Sequence, residues 1–443
     1  MKRSSQGWIL LMFFALMASF FLSACSPKPK KLSDEQPAEE SFEIQTLLGG
    51  VSDSLGLAKG LTLVHEWVLS DPAGMAFLEN EASATLYVTQ NSTIGLGKTG
   101  PASHRGFTSF GFSRKDDSWL LNESNNPENL KFTGFGKNNK GIYASDWGTI
   151  ITAPISKVNE NTAVDETAYP VEWNPELKTS RTLKQLGKGN FTGVTTFTDN
   201  NGVKAIYFAD QSFANSFLYK YVFTDPENLD SGKLYVASFK YNYWILLDVR
   251  TNTVISPKYK TQTAILENLH AASEMAGATT KQPISGLAID PVNRQLVMAL
   301  LPDEGKRSLF GGLFSLGEEE GRSDAVTFHL EPLYLGSPDT KFSHPGSFTF
   351  DANGNTWIIN SLTDADRQNA SYSQFSKSGL ILIPRRGAQT GLSFLVAVAE
   401  RNGLFSGIAL TQANKSLFLG YLDSNNSGKI LQLKGELLEK IGK

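Results

Sequence analysis

Six side chains with oxygen donors, Asn91, Asp146, Asp210, Asp303, Asn360 and Asp423, each follow a glycine by about the length of one β-hairpin and close a run of β-forming residues. Carboxylate and amide oxygens gathered on one surface are the donor set that a hard cation such as calcium takes. If a metal is present, Asp210, Asp303 and Asp423 are its expected ligands. The competing reading is local, because Asp and Asn also cap their own turns by accepting hydrogen bonds from nearby backbone N–H groups. A second set stands immediately before each glycine: Ala73, Thr133, Thr192, Ser285, Pro345 and Ser406. Ser285 and Asp303 are expected to be neighbours at one opening of the fold.

The glycines that set this spacing are Gly74, Gly134, Gly193, Gly286, Gly346 and Gly407, which recur at nearly even intervals except for one longer step between Gly193 and Gly286. A fixed period marks a repeat architecture. Each unit reads as a β-run, a turn containing Asn, Asp or Gly, and a second β-run, as in "ISGLAIDPVNRQLVMALLPD" at 284–303. Further alternating runs follow, such as "GLILIP" and "FLVAVAE". About four antiparallel strands per unit, repeated radially, make a β-propeller, so the chain is expected to be all-β with six blades over residues 46–443. In such a blade the second strand returns to the mouth from which the first departs, which brings both residue sets to that mouth. "LTLVHEWVL" at 61–69 has no unit of its own and is expected to close the ring as the outer strand of the last blade, protecting its edge. The long step contains "KLYVASF" and "YWILLDV", which leave a degenerate seventh blade open. It also holds the best helical segment, "AILENLHAASEMAG" at 264–277.

In wording, "GLAIDPVNRQLVMA", "GSFTFDANGNTWIIN" and "AIYFAD" resemble the units of NHL and gluconolactonase-type propellers. That resemblance implies the propeller fold and, for the enzymes among them, a cation that orients a sugar lactone and activates water. One departure weighs against the metal. The family pattern carries an Asn just before the glycine of a metal-binding blade, and no unit here has one.

The first residues, "MKRSSQGWILLMFFALMASFFLSACSPKPKK", begin with a positive segment and an apolar run of signal-peptide length. Leu22-Ser23-Ala24-Cys25 is similar to the lipobox of bacterial lipoproteins. The resemblance implies removal of residues 1–24, lipid on Cys25 and a membrane partner held through several acyl chains. Cys25 is the only cysteine, so neither an intramolecular disulfide nor a cysteine zinc site can form. Ser26 rather than Asp after the cysteine implies the outer membrane by the sorting rules of Gram-negative lipoproteins. Residues 25–45, rich in Pro, Lys and Glu, read as a flexible tether.

A formal net charge of −3 and the lack of a dense basic block in the body exclude nucleic acid as the expected partner. Gly97-Lys98-Thr99 imitates the end of a phosphate loop, but Ser92 stands where its first glycine belongs. "DSNNSG" at 423–428 imitates a calcium loop, yet Lys434 occupies the position that needs a bidentate Glu, so a hairpin turn is expected. The five histidines are scattered without HExxH spacing, and no GxSxG elbow exists. His344, beside a first strand, is the one expected nearest the channel. These observations favour a ligand- or protein-binding or scaffold module of the envelope over a calcium-dependent hydrolase or a substrate-capture lipoprotein.

Overall fold

A computed structural model describes residues 43–441 except for short internal stretches, the longest being 48–53, 91–105, 123–127, 132–137, 156–168, 211–215 and 304–308. Its strands form six antiparallel sheets arranged as the blades of a β-propeller. Blade 1 starts at Pro72–Glu79, blade 2 at Asn138–Ala144 and blade 3 at Phe191–Thr198. Blades 4, 5 and 6 start at Ile284–Asp290, Pro345–Phe350 and Leu404–Leu410. Among the described residues no seventh blade forms. Lys233–Ser238 and Tyr243–Leu246, from the long step, pair as fourth and fifth strands of blade 3.

Ring closure follows the expectation. Thr62–Val68 pairs antiparallel with Gly428–Lys434 and becomes the outer strand of blade 6, joining the two ends of the chain in one sheet. Both faces of the middle strands are covered by neighbouring blades, which is why Leu218–Phe223 and Gly379–Ile383 are buried along their whole length. Six apolar clusters occupy the six contacts between adjacent blades, including one in which Met75 and Phe112 of blade 1 meet Phe418 and Ile430 of blade 6.

The first strand of every blade carries a bulge where its register against the second strand shifts. A glycine stands at each bulge, and at Gly407, Gly193 and Gly141 the neighbouring blade comes close. A Cβ on Gly407 would lie 2.7 Å from the Ala73 carbonyl oxygen, and one on Gly193 would lie 3.3 Å from the Leu287 nitrogen. In blade 2 that glycine is Gly141, whose Cβ would meet Gly193 Cα at 3.3 Å. Gly134, expected there from the even spacing, lies outside the described residues and before the strand.

The interface between blades 3 and 4 also buries charge. Lys220 Nζ donates to both Glu318 oxygens at 3.1 Å and to Ala325 O at 2.8 Å, and lies 4.6 Å from the Trp244 ring centre. Tyr207 Oη and Trp244 Nε1 donate to the same carboxylate. Both members of the ion pair are thus hydrogen-bonded, as burial requires.

Candidate functional site

The second strands of blades 3 to 6 run back to one mouth of the ring, and the expected Asx residues fall at their ends. Asp210 ends Lys204–Asp210, Asn360 ends Thr356–Asn360, Asp423 directly follows Leu417–Leu422, and Asp303 lies just past Gln295–Leu300. Asn91 lies outside the described residues. Asp146 is a correction: it sits in the turn between the first two strands of blade 2, at the opposite mouth. The shift from Gly134 to Gly141 moved the whole unit along the chain, so its Asp closes the hairpin instead of ending the second strand.

Several of the oxygen donors are committed to local partners. Asp423 Oδ1 accepts from the Asn425 and Ser427 N–H groups at 2.9 and 2.8 Å, and Lys429 Nζ stands 3.6 Å from Oδ2, as expected of a hairpin cap. Those hydrogen bonds, with the lysine, hold its carboxyl below the usual range. Asn360 accepts from the Ser343 N–H and donates to Lys341 O, both at 3.3 Å. Ser285 Oγ donates to Pro345 O of the next blade, and Thr192 Oγ1 does the same to Ile284 O at 2.6 Å. In blades 3 and 4 the position before the glycine is thus a staple to the first strand of the next blade. Among the described residues no three His, Cys, Asp or Glu side chains converge on a metal, so Asp210, Asp303 and Asp423 are not gathered into a shared calcium site.

Asp210 has the richest surroundings. The Phe217 N–H donates to its Oδ1 at 3.0 Å, Tyr219 Oη donates to Oδ2 at 3.0 Å, and His270 Nδ1 lies 2.9 Å from Oδ2. The carboxylate is buried, whereas the imidazole is 43% exposed. His270 comes from the connection between blades 3 and 4, which folds into helices Gln262–Glu267 and Leu269–Met275 where the sequence predicts helix. Thr261 caps the first by accepting from the Ala264 N–H at 3.1 Å. Ile265, Leu269 and Ala272 face inward and pack with Leu183 and Leu186, which turns His270 toward the mouth. The Phe217 ring lies 4.8 Å from the imidazole, and Ser273 Oγ donates to Leu269 O and approaches Tyr219 Oη at 3.4 Å.

The hydrogen bond to Asp210 raises the His270 pKa above its ordinary 6.5, against the opposing effect of burial. Burial first, and then the Asp210 charge, push the Tyr219 phenol well above its usual range, so it donates. A carboxylate that fixes Nδ1 selects the ring orientation and leaves Nε2 as the atom able to take or give a proton. The sequence showed Asp210 but not its partner. The two stand far apart in chain order, and the only hint was a histidine on the one helical segment.

His344 also stands at this mouth. It adopts a left-handed conformation with φ of 50°, its Nδ1 lies 2.8 Å from Ser343 Oγ, and its Nε2 lies 3.6 Å from Asp366 Oδ1. Asp366 belongs to helix Asp364–Gln368, opened by a capping box with Thr363. Leu362, Tyr372 and Phe375 form a small apolar cluster under that loop, so it is an ordered cover with its own core. On the opposite mouth a groove of about 170 Å³ runs past Trp147, Glu172 and Arg181. Glu172 there is saturated by Trp147 Nε1, Thr149 Oγ1 and Arg181 Nε.

No family model matches the chain, and no curated protein matches it. Among solved structures, Pseudomonas fluorescens PhoX in complex with vanadate, a transition state analogue, is similar over 90% of this chain and 99% of that one, with 14% identity and a TM-score of 0.72. A glucose dehydrogenase structure matches over 85% of this chain and 99% of that one, at 12% identity and a TM-score of 0.39. At such identity the likeness to PhoX is one of architecture, and it agrees with the sheets: this chain is an all-β, six-bladed β-propeller.

Proposed function

We propose that the protein is a lipid-anchored propeller of the bacterial envelope that binds a small ligand or a protein partner at the mouth bearing Asp210 and His270. The observation that carries this reading is the ordering of that mouth. A buried carboxylate positions a half-exposed imidazole, while Asp423 caps a hairpin and Ser285 staples neighbouring blades. Calcium is not required for such a site, and melting with and without chelator is expected to coincide. A rise in melting temperature at millimolar calcium, absent with chelator, overturns the reading, because a ligand that binds only the folded state must stabilise it.

Anchoring is tested by labelling with a radioactive fatty acid. Label is expected on the intact protein and absent after Cys25→Ala; label that persists in the variant removes the anchor.

A second reading, hydrolysis of a phosphate ester, is favoured by the fold shared with vanadate-bound PhoX. Turnover of p-nitrophenyl phosphate that chelator abolishes and Asp210→Asn lowers at least tenfold selects this reading over simple binding.

A further inference from the structure

The groove past Trp147, Glu172 and Arg181 lies where blade 2 meets blade 3, on the mouth away from His270. Two cross-strand pairs of blade 2 form one wall. Glu172 of Val171–Asn174 stands opposite Arg181 of Thr179–Thr182, and Asn174 stands opposite Thr179. Positions two apart along a strand share a face, so these four side chains look the same way. Ile151, the partner of Glu172 on the neighbouring strand, packs into the core shared with blade 3, so that face is the one turned toward blade 3. The opposite wall is the loop between Leu218–Phe223 and Lys233–Ser238 of blade 3, with Pro226 and Glu227.

The polar groups of this wall are only partly engaged with one another. Buried Glu172 accepts from Trp147 Nε1 at 2.9 Å and from Thr149 Oγ1 at 2.6 Å. Arg181 Nε donates to its other oxygen, and Arg181 Nη2 donates to Pro226 O at 2.6 Å across the blade contact. Two of the five guanidinium N–H groups are so engaged and hold the fork still, while the other three have no partner among the described residues. The Arg181 side chain is 42% exposed, so these donors open on the groove. Asn174 is divided in the same way. Its Oδ1 accepts from the Glu176 and Leu177 N–H groups, both at 3.0 Å, and its Nδ2 donors have no partner among the described residues.

These groups select among ligands. The charged residues lining the groove are Glu172, Arg181 and Glu227, so it offers an anion no surplus of positive charge. It is better matched to hydroxyls: Arg181 and Asn174 supply fixed N–H donors, Glu227 an acceptor, and the Thr179 hydroxyl both. Trp147, whose N–H is held by Glu172, presents carbon surface. A sugar ring carries the matching combination, with hydroxyls around its edge and C–H groups on its faces for an aromatic neighbour. The groove volume of about 170 Å³ is the bulk of about six waters of the liquid, room for one such ring and not for two.

We propose that this groove between blades 2 and 3 is a binding site for a single neutral sugar ring. Arg181 and Asn174 hold its hydroxyls, and Trp147 meets its carbon surface. The site stands apart from the mouth bearing Asp210 and His270 and does not rest on the reading of that mouth.

The test titrates the full-length protein with the methyl glycosides of glucose, galactose, mannose and N-acetylglucosamine, read by saturation-transfer nuclear magnetic resonance of the sugar. At least one is expected to bind with a dissociation constant on the order of 1 mM, the range of a small neutral ligand. Arg181→Lys keeps the charge, loses the fork and is expected to weaken binding about tenfold. Asn174→Asp keeps the oxygen that caps its turn and removes only the donors, so it probes the groove in a folded chain, and about fivefold weakening is expected. Asp210→Asn, on the other mouth, is expected to leave sugar affinity unchanged. No transfer to any of the four sugars at about 20 mM overturns the proposal. So does affinity that neither groove variant moves, or displacement of the sugar by equimolar phosphate or tetramethylammonium. Binding lost in Asp210→Asn and kept in both groove variants assigns the sugar to the His270 mouth and overturns it as well.

Discussion

Lys220 carries its charge in a place where charge is costly, at zero side-chain exposure in the third strand of blade 3. Burial lowers its ammonium to about 8, although Glu318 opposes the shift, and burial raises Glu318 in turn. Breaking a buried pair by removing one partner typically costs about 3–5 kcal/mol, because the other is stranded. Glu318→Gln is therefore expected to lower unfolding free energy by about that amount in urea titration. Loss below about 1 kcal/mol would show that water reaches the site. Asp210 and His270 make a different pair, with one exposed member. In nuclear magnetic resonance titration the His270 midpoint is expected above 6.5, and Asp210→Asn should bring it down. The sign follows from the raised value: what the pair adds to stability is complete below the unfolded value of about 6.5 and fades as pH rises through the folded midpoint. A midpoint that ignores Asp210→Asn refutes the coupling. Asp210 was legible as a polar strand end, whereas His270 was not, because a contact made through a distant helix leaves no spacing in the sequence.

At the scale of the element, the glycine bulges set how near the blades approach. A Cβ on Gly407 would press on the Ala73 carbonyl at 2.7 Å, while on Gly286 its nearest neighbour is Phe348 Cδ1 at 3.4 Å. Gly407→Ala is expected to cost about 1–3 kcal/mol, as overpacking usually does, and Gly286→Ala less than about 1 kcal/mol, as compatible substitutions do. Thermal melts of the two variants settle the order. The same contacts explain where the sequence misled. Several glycines compete in "FTGFGKNNKG", and the even period favoured Gly134, but it is Gly141 that faces the backbone of Gly193. Asp146 followed its glycine to the wrong mouth. The closing strand was legible because an unmatched β-run at the start and a blade short of one strand at the end imply each other. The outer strands of blade 3 were harder to place, since nothing in "KLYVASF" distinguishes a fourth strand from the start of another blade.

For the whole molecule, the six interblade clusters predict one cooperative unit in which closure is decisive. Removal of residues 1–41 is expected to leave the melting temperature within about 2 °C, whereas removal through Leu69 deletes the strand paired with Gly428–Lys434 and should abolish a cooperative transition. A sharp melt of the shorter chain refutes the closure argument. Architecture was legible at this scale because six copies repeat one pattern; the Asp210–His270 pair was not, because it depends on a long connection that shares no pattern with the blades. The closure has a consequence in time. Thr62–Val68 is among the first segments synthesised and its partner Gly428–Lys434 among the last, so the most distant contact of the fold is also the one that seals it. Until the final strand emerges, the ring has bare edges. A nascent chain is therefore an open arc seeking a strand, and its dependence on chaperones should end when Gly428–Lys434 arrives.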